Sequence, residues 1–329
     1  MTVIDRSFKV GKGRTGFLLI HGLGGTPVEL KFVAKGLARR GFLVHCCQLA
    51  GHCGSEADLV ATTWHDWYAS VVTAFDELRA QCDTVVVGGL SMGGVLALHL
   101  AARRPDDVDG LVLYAPTLWY DGWSTPWYRF ILQFALWSAF GQAIVRRVYR
   151  FTEGEPYGIK DAAIRGVVLA AMKSGDSAQA GILTTPGDSV CQLHNLVQVV
   201  KGELRSITTP AMIIQAREDD LSSLKNAEYL QRQMSGLVGT IVLDDSYHIV
   251  TVDRQRDLLI ESTMAFATML AVRLQLEAMS GDTVLPMSTT HAAKARPASA
   301  PDDALPDAAQ APRLPYRPNT LALDWLRRP

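Results

Sequence analysis

Gly89-Leu90-Ser91-Met92-Gly93 is the stretch on which the reading of this chain turns. It spells G-x-S-x-G, a spacing that composition alone would produce in roughly one chain of this length in ten, so its surroundings decide what it means. Before it lies the β-branched run Thr84-Val85-Val86-Val87, and after it the helical stretch Val95-Leu96-Ala97-Leu98-His99-Leu100. A strand that turns sharply into a helix at a serine lifts the hydroxyl above the end of a sheet. Glycines flank the serine because the backbone passes too close there for a Cβ. Behind the serine, the helix N-terminus offers main-chain N–H groups to a developing oxyanion.

Strand and helix signals alternate on both sides of this turn, which predicts a mostly parallel sheet covered by helices on both faces. Upstream, Phe17-Leu18-Leu19-Ile20 reads as a buried strand, and Thr26-Pro27-Val28-Glu29 as a capped helix start with Glu29 closing a capping box. That helix runs to about Arg40, before a strand from Phe42 to Gln48 and a helix from Thr63 to about Gln81. Downstream, Gly110 to Tyr114 is strand-like, and then the alternation stops at about Thr117. It resumes after Ser206 with strands at Ala211 to Ala216 and Gly239 to Leu243, and a long helix from about Arg254 to Met279. The expected organisation is a core made of residues 1–116 and 207–280, with a helical cap of residues 117–206 inserted after the sixth strand. Residues 281–329, rich in alanine and proline, read as a disordered tail.

The bulk numbers allow a large core, in one big domain or two smaller ones. The chain has 329 residues, is 48% hydrophobic and carries a net charge of −1, which argues against nucleic acid as its main partner. Five cysteines, Cys46, Cys47, Cys53, Cys82 and Cys191, form no C-x-x-C and no zinc spacing, so neither a disulfide framework nor a metal site is expected. Residues 1–16 lack the apolar stretch of a signal peptide, and the expected compartment is the cytoplasm. No uncharged run reaches membrane-spanning length; the longest candidate, Trp127 to Val145, is interrupted by Arg129, Gln133 and Gln142 and reads as a helix over a buried pocket, with an amphipathic helix touching lipid as the alternative. Nothing in the pattern sets an oligomeric state.

A serine hydroxyl needs a base to take its proton, and a carboxylate to orient that base. Both follow late strands here: Gln215-Ala216-Arg217-Glu218-Asp219-Asp220 and Asp244-Asp245-Ser246-Tyr247-His248. Of eight histidines, only His248 follows a late strand after both the serine and an acid, which makes it the candidate base. Asp219 leads as the acid, but a one-residue shift of the loop exchanges it with Glu218 or Asp220, while Asp244 and Asp245 precede the histidine on its own loop. In the glycine turn His21-Gly22-Leu23-Gly24-Gly25, the N–H of Leu23 is a candidate oxyanion donor, with the N–H of Met92 as the second.

These segments together resemble the α/β-hydrolase superfamily, and within it the bacterial carboxylesterase and monoacylglycerol lipase group. The likeness is carried by Leu18-Leu19-Ile20-His21-Gly22, by Gly88-Gly89-Leu90-Ser91-Met92-Gly93-Gly94-Val95, by Gln215-Ala216-Arg217-Glu218-Asp219 and by His248-Ile249-Val250-Thr251-Val252-Asp253. The third of these carries the catalytic aspartate of that group, which favours Asp219 over Asp220; the fourth carries its catalytic histidine, which maps to His248. The resemblance implies a serine carboxylic ester hydrolase that needs no cofactor and acts through an acyl-enzyme on a small-molecule ester, with medium-chain acyl esters or monoacylglycerols as expected substrates. Three departures stand out: a longer cap, Leu23 where the group often has an aromatic residue, and the tail. Carbon–carbon bond hydrolysis or acyl transfer on the same fold, and a non-catalytic binding relative, are the alternatives.

Within the expected cap, Trp119, Trp123 and Trp127 are candidate substrate-binding residues. Together with Trp137, Phe130, Phe134 and Phe140 they suggest a wall for an acyl chain, or simply packing of cap helices on the core. Arg146, Arg147 and Arg150 make a basic cluster on the same stretch, by default a solvated helix face.

Overall fold

The computed structural model describes residues 3, 5–126, 128–152, 154–173 and 177–280. The chain opens with strands β1 (Phe8–Gly11) and β2 (Thr15–Ile20), helix α1 (Lys31–Ala38) and strand β3 (Leu43–Cys47). Helices α2 (Glu56–Val60) and α3 (Trp64–Arg79) lead to β4 (Thr84–Leu90), α4 (Met92–Arg103) and β5 (Gly110–Tyr114). Then come α5 (Arg129–Leu136), α6 (Ala139–Val148), β6 (Arg150–Thr152), α7 (Ala162–Lys173), α8 (Ser177–Ala180), β7 (Thr184–Pro186) and α9 (Gly187–Glu203). The alternation closes with β8 (Ala211–Ala216), α10 (Leu224–Gln233), β9 (Val238–Leu243) and α11 (Arg256–Ser280).

Seven strands form one sheet in the order β1-β3-β2-β4-β5-β8-β9. β1 runs antiparallel to β3 at one edge, and the remaining pairings are parallel. Period-two alternation divides the core: Val85 and Val87 of β4 enter the layer with α3, α4 and α9, and Val86 and Leu90 enter the layer with α1 and α11. Both faces are covered, so the central strands are apolar throughout, as in any buried parallel sheet.

The structure amends the sequence reading in several places. β1 and α2 carried no recognised signal. The long segment before β8 follows the fifth strand in chain order rather than the sixth, and it contains the short antiparallel pair β6 and β7. Its last helix, α9, joins the core layer through Leu193, Leu196, Val197 and Val200, while its Val190 and Cys191 form a separate small cluster with Leu136 of α5 and Val145 of α6. Glu29 does not close a capping box: the Thr26 hydroxyl accepts the Val28 N–H, and Glu29 turns back to Gly22 instead. The tail expected over residues 281–329 lies outside the described residues, as does Trp127.

Candidate active site

β4 ends at Leu90 and α4 begins at Met92, so Ser91 alone makes the turn. Its φ of 54° and ψ of −114° are foreign to ordinary side-chain-bearing residues, a strain of about 1–3 kcal/mol that only surrounding packing can hold. The flanking glycines have a measurable reason. A Cβ on either Gly89 or Gly93 would fall 2.1 Å from the carbonyl oxygen of Ile20 on the neighbouring strand. The Ser91 N–H donates to Tyr114 O at 2.9 Å. Its hydroxyl donates to Thr117 Oγ1 at 3.0 Å, and the Thr117 hydroxyl in turn donates to Ala115 O at 3.1 Å.

Asp219 and His248 meet across the ends of β8 and β9. His248 Nδ1 lies 3.0 Å and 2.9 Å from the two carboxylate oxygens of Asp219, both side chains buried. The carboxylate is held from below. Leu221 N–H and Ser222 N–H donate to Oδ1 at 2.9 and 2.8 Å, and the Gln215 amide donates to Oδ2 at 2.8 Å. An acceptor at Nδ1 fixes the tautomer that leaves Nε2 to take a proton.

The rival acids are accounted for by other contacts. Glu218 pairs with Lys160 at 2.6 Å, Asp244 with Arg217 at 2.6 Å, and Asp245 with Lys160 at 3.1 Å and Arg254 at 3.0 Å. Asp220 is buried and turns toward main chain, accepting from His248 N–H at 3.2 Å and Gly158 N–H at 3.1 Å. Burial pushes its carboxyl above the usual range, against the pull of nearby His248 and with a further push from Asp219.

The glycine turn after β2 lies beside Ser91. Gly25 N–H closes it onto Gly22 O at 3.1 Å, and Ile182 N–H, from the long segment before β8, donates to Gly24 O at 2.9 Å. Glu29 Oε1 accepts the Gly22 N–H at 2.6 Å. His21 braces the turn from behind: Nε2 accepts Leu49 N–H at 3.1 Å, and Nδ1 lies 2.9 Å from Gly22 O. One ring nitrogen accepts and the other donates, so this imidazole is neutral. Burial, with His52 beside it, holds its pKa down at about 3.

Ser91, Leu23, Glu29 and His248 line one cavity of about 790 Å³. Its walls are apolar: Val28, Phe32 and Leu90 from the core; Tyr120, Leu132, Tyr149, Phe151, Tyr157, Ile159, Val168 and Met172 from the segment before β8. Met92 itself is buried, and only its main chain opens α4 beside the serine. Trp119 and Trp123, two of the tryptophans expected to line the cavity, stand elsewhere. Trp119 packs edge-on against Tyr229 and under the Lys201 ammonium; Trp123 packs against Tyr247 and donates its Nε1–H to Glu218 O at 2.9 Å. Within that segment the ring walls come from tyrosines and Phe151 instead. No periodicity marked these residues, because they converge from loops and short elements. Gln215 lay inside a motif already read, yet its role shows only once β8 aims it at Asp219.

The fold, with the strained serine and the Asp219-held His248 on one apolar cavity, defines an α/β-hydrolase of the serine ester hydrolase class. The chain belongs to the serine aminopeptidase S33 family, which it matches over residues 12–255. It is 31% identical over 260 residues to a thermostable monoacylglycerol lipase from Bacillus sp. (strain H-257), covering 79% of this chain and 92% of that one. It is 24% identical over 267 residues to a carboxylesterase from Bacillus subtilis (strain 168), covering 80% and 96%. Among solved structures, one from a study of the metagenome-derived lipolytic enzymes LipS and LipT superposes with a TM-score of 0.67 at 26% identity, covering 80% of this chain and 97% of that one. A monoacylglycerol lipase from Paleococcus ferrophilus, at 17% identity and a TM-score of 0.65 over 81% and 99% of the two chains, shares the fold.

Proposed function

We propose that the protein hydrolyses single-chain acyl esters, with monoacylglycerols and medium-chain esters as substrates, through an acyl-enzyme on Ser91. The observation that carries this reading is the placement of Ser91 and the Asp219-held His248 on one apolar cavity. A cavity of about 790 Å³ with few polar groups suits one extended acyl chain better than a charged or highly polar substrate. The name of the Bacillus relative at 31% identity points the same way.

In this reading the Ser91 hydroxyl leaves Thr117, His248 Nε2 takes its proton, and Oγ bonds to the ester carbonyl carbon. Leu23 and Met92 N–H groups hold the oxyanion. The bond to the alcohol oxygen breaks, and His248 returns the proton to that oxygen, leaving acyl-serine and free alcohol. Water then repeats the sequence, giving up a proton to His248 and releasing the fatty acid. Asp219 orients the imidazole throughout and stabilises its charged form. Residues 117–206 act as the cap that walls the acyl chain, on a core of residues 1–116 and 207–280. All five cysteines are thiols, which supports a reducing, cytoplasmic compartment.

The outer face of α5 and α6 favours an aggregated rather than a dispersed substrate. Ile131, Phe134, Trp137 and Phe140 are exposed there. Such a face suits an interfacial layer of amphiphiles. No helix among the described residues is long and apolar enough to cross a membrane.

The test is hydrolysis of p-nitrophenyl esters from acetate to palmitate and of 1-monoacylglycerols, wild type beside Ser91→Ala. Serine-dependent turnover that rises from acetate to medium chains supports the reading. A maximum at acetate removes the acyl-chain assignment, and turnover that survives Ser91→Ala removes the mechanism.

A further inference from the structure

The carboxylate next to the acid of the triad has no part in the mechanism above, yet it is buried and fully engaged. Asp220 Oδ1 accepts the main-chain N–H of His248 at 3.2 Å, and Oδ2 accepts the main-chain N–H of Gly158 at 3.1 Å. The two donors belong to different parts of the fold: His248 to the loop after β9, Gly158 to the turn between β6 and α7. The turn answers in kind, since Gly158 O accepts the Ile249 N–H at 2.7 Å. Three hydrogen bonds therefore close a clasp between Gly158, His248, Ile249 and Asp220.

Gly158 is where the clasp is tightest. Its φ is +68°, and a Cβ there would come within 2.7 Å of Ile249 Cγ1. The main chain of Asp220 is held too: its carbonyl accepts Ser124 N–H at 3.1 Å and the Ser124 hydroxyl at 2.7 Å. The flanking residues connect this clasp to the cavity, because Tyr157, Ile159, His248 and Ile249 all line it. An acyl chain in the cavity thus presses on the same turn that Asp220 bolts to the histidine.

We propose that Asp220 is the positioning residue of the histidine loop, tying the main chain of His248 to the cavity wall formed by the Gly158 turn so that the wall sets the reach of the imidazole. The assignment rests on the reading of His248 as the catalytic base. The chemistry requires an acid at this position. Two main-chain donors converge from two directions, and a carboxylate accepts one on each oxygen; asparagine has a single acceptor oxygen and aims its amide hydrogens at the second donor. Asp219 and Asp220 then divide the work of one histidine, the first holding its ring and the second its backbone.

The test compares full-length wild type, Asp220→Asn and Asp219→Asn. Thermal melts establish that each variant is folded. Two quantities are read: kcat and KM on a p-nitrophenyl decanoate substrate, and the far-downfield proton NMR signal of the His248 Nδ1–H, assigned by its loss in Asp219→Asn. The expected result for folded Asp220→Asn is a shifted or broadened downfield signal, with kcat lower by about 10- to 100-fold and KM changed by no more than about twofold, as for a small displacement of a catalytic group. A folded Asp220→Asn with the wild-type downfield signal overturns the proposal, whatever its kcat. A shifted signal in a wild-type background without serine-dependent turnover leaves the clasp standing and removes the hydrolase reading instead. Should Asp220→Asn fail to fold, amide hydrogen exchange of the wild type decides. Gly158 and His248 N–H share one acceptor group, so their protection should agree within about threefold, and a difference above about tenfold refutes a common clasp.

Discussion

Two apolar stretches of this chain meet opposite fates. From Thr84 to Ala101, through β4, the serine turn and most of α4, every residue is buried except Ser91, which is half-buried. From Ile131 to Phe140 the sequence is as apolar, yet Ile131 is 66%, Phe134 81%, Trp137 71% and Phe140 78% exposed. Hydrophobicity alone does not tell these apart. β4 sits between two strands and under helices on both faces, so any side chain it carries enters the core. α5 and α6 bury one side, through Leu136 and Val145, and nothing in the described chain covers the other. The first stretch spends its burial on shape, forcing one serine into a strained turn. The second keeps apolar surface available at the rim of the cavity to which Tyr128 and Leu132 contribute.

The sharpest way to break this comparison is at the serine. Ser91→Ala should lower kcat by at least about 10⁴-fold while the melting temperature stays near that of wild type, because the methyl keeps the packing. Stopped assays with purified protein and a melt check both halves. Gln215→Leu comes next. It removes the amide that supports Asp219 and leaves a buried carboxylate short of a donor, which should cost about 1–3 kcal/mol of stability and lower kcat without raising KM; denaturant melts and steady-state kinetics read the two effects.

Acid sensitivity probes the buried layer behind the glycine turn. His21 and His52 are held neutral by burial, with pKa values of about 3 and 4 against 6.5 in the unfolded chain. Their folded values are depressed, so from pH 6.5 down to about 4 for His52 and about 3 for His21 the unfolded state binds more protons than the folded one. Stability is fully present above pH 6.5 and is lost as pH falls through this window. His52→Gln should flatten that acid limb by up to one proton in the pH dependence of unfolding free energy, measured in urea from pH 4 to 7. An unchanged slope refutes the neutral, buried assignment.

The smallest effect on the fold is expected at the exposed face. Replacing Phe134, Trp137 and Phe140 with serine should leave turnover of dissolved p-nitrophenyl butyrate within about twofold, as surface changes outside the packed core do. Turnover of an emulsified monoacylglycerol should fall well below that. Equal losses on both substrates show instead that the rings support the cavity, and collapse the distinction between the two stretches.

Sequence by itself singled out the candidate reacting groups. G-x-S-x-G between a strand and a helix, an acid after one late strand and a histidine after the next are local signals, and each depends on backbone geometry that a few residues impose. The choice of Asp219 over its neighbours needed a family likeness before the structure and a contact after it: only the fold shows Asp219 on the imidazole, Asp220 on two main-chain N–H groups, and Glu218 out on Lys160. Glu29 followed a capping-box spacing but accepts the Gly22 N–H instead, a contact back to the glycine turn that only the fold reveals. The cavity wall lay beyond sequence for the same reason. Trp119 and Trp123 are large, aromatic and in the right segment, but which ring faces an acyl chain depends on how α5, α7, β6 and the Gly158 turn converge, and those contacts join residues far apart in the chain. Local chemistry is written in neighbours along the chain; the shape of a pocket is written in neighbours across it.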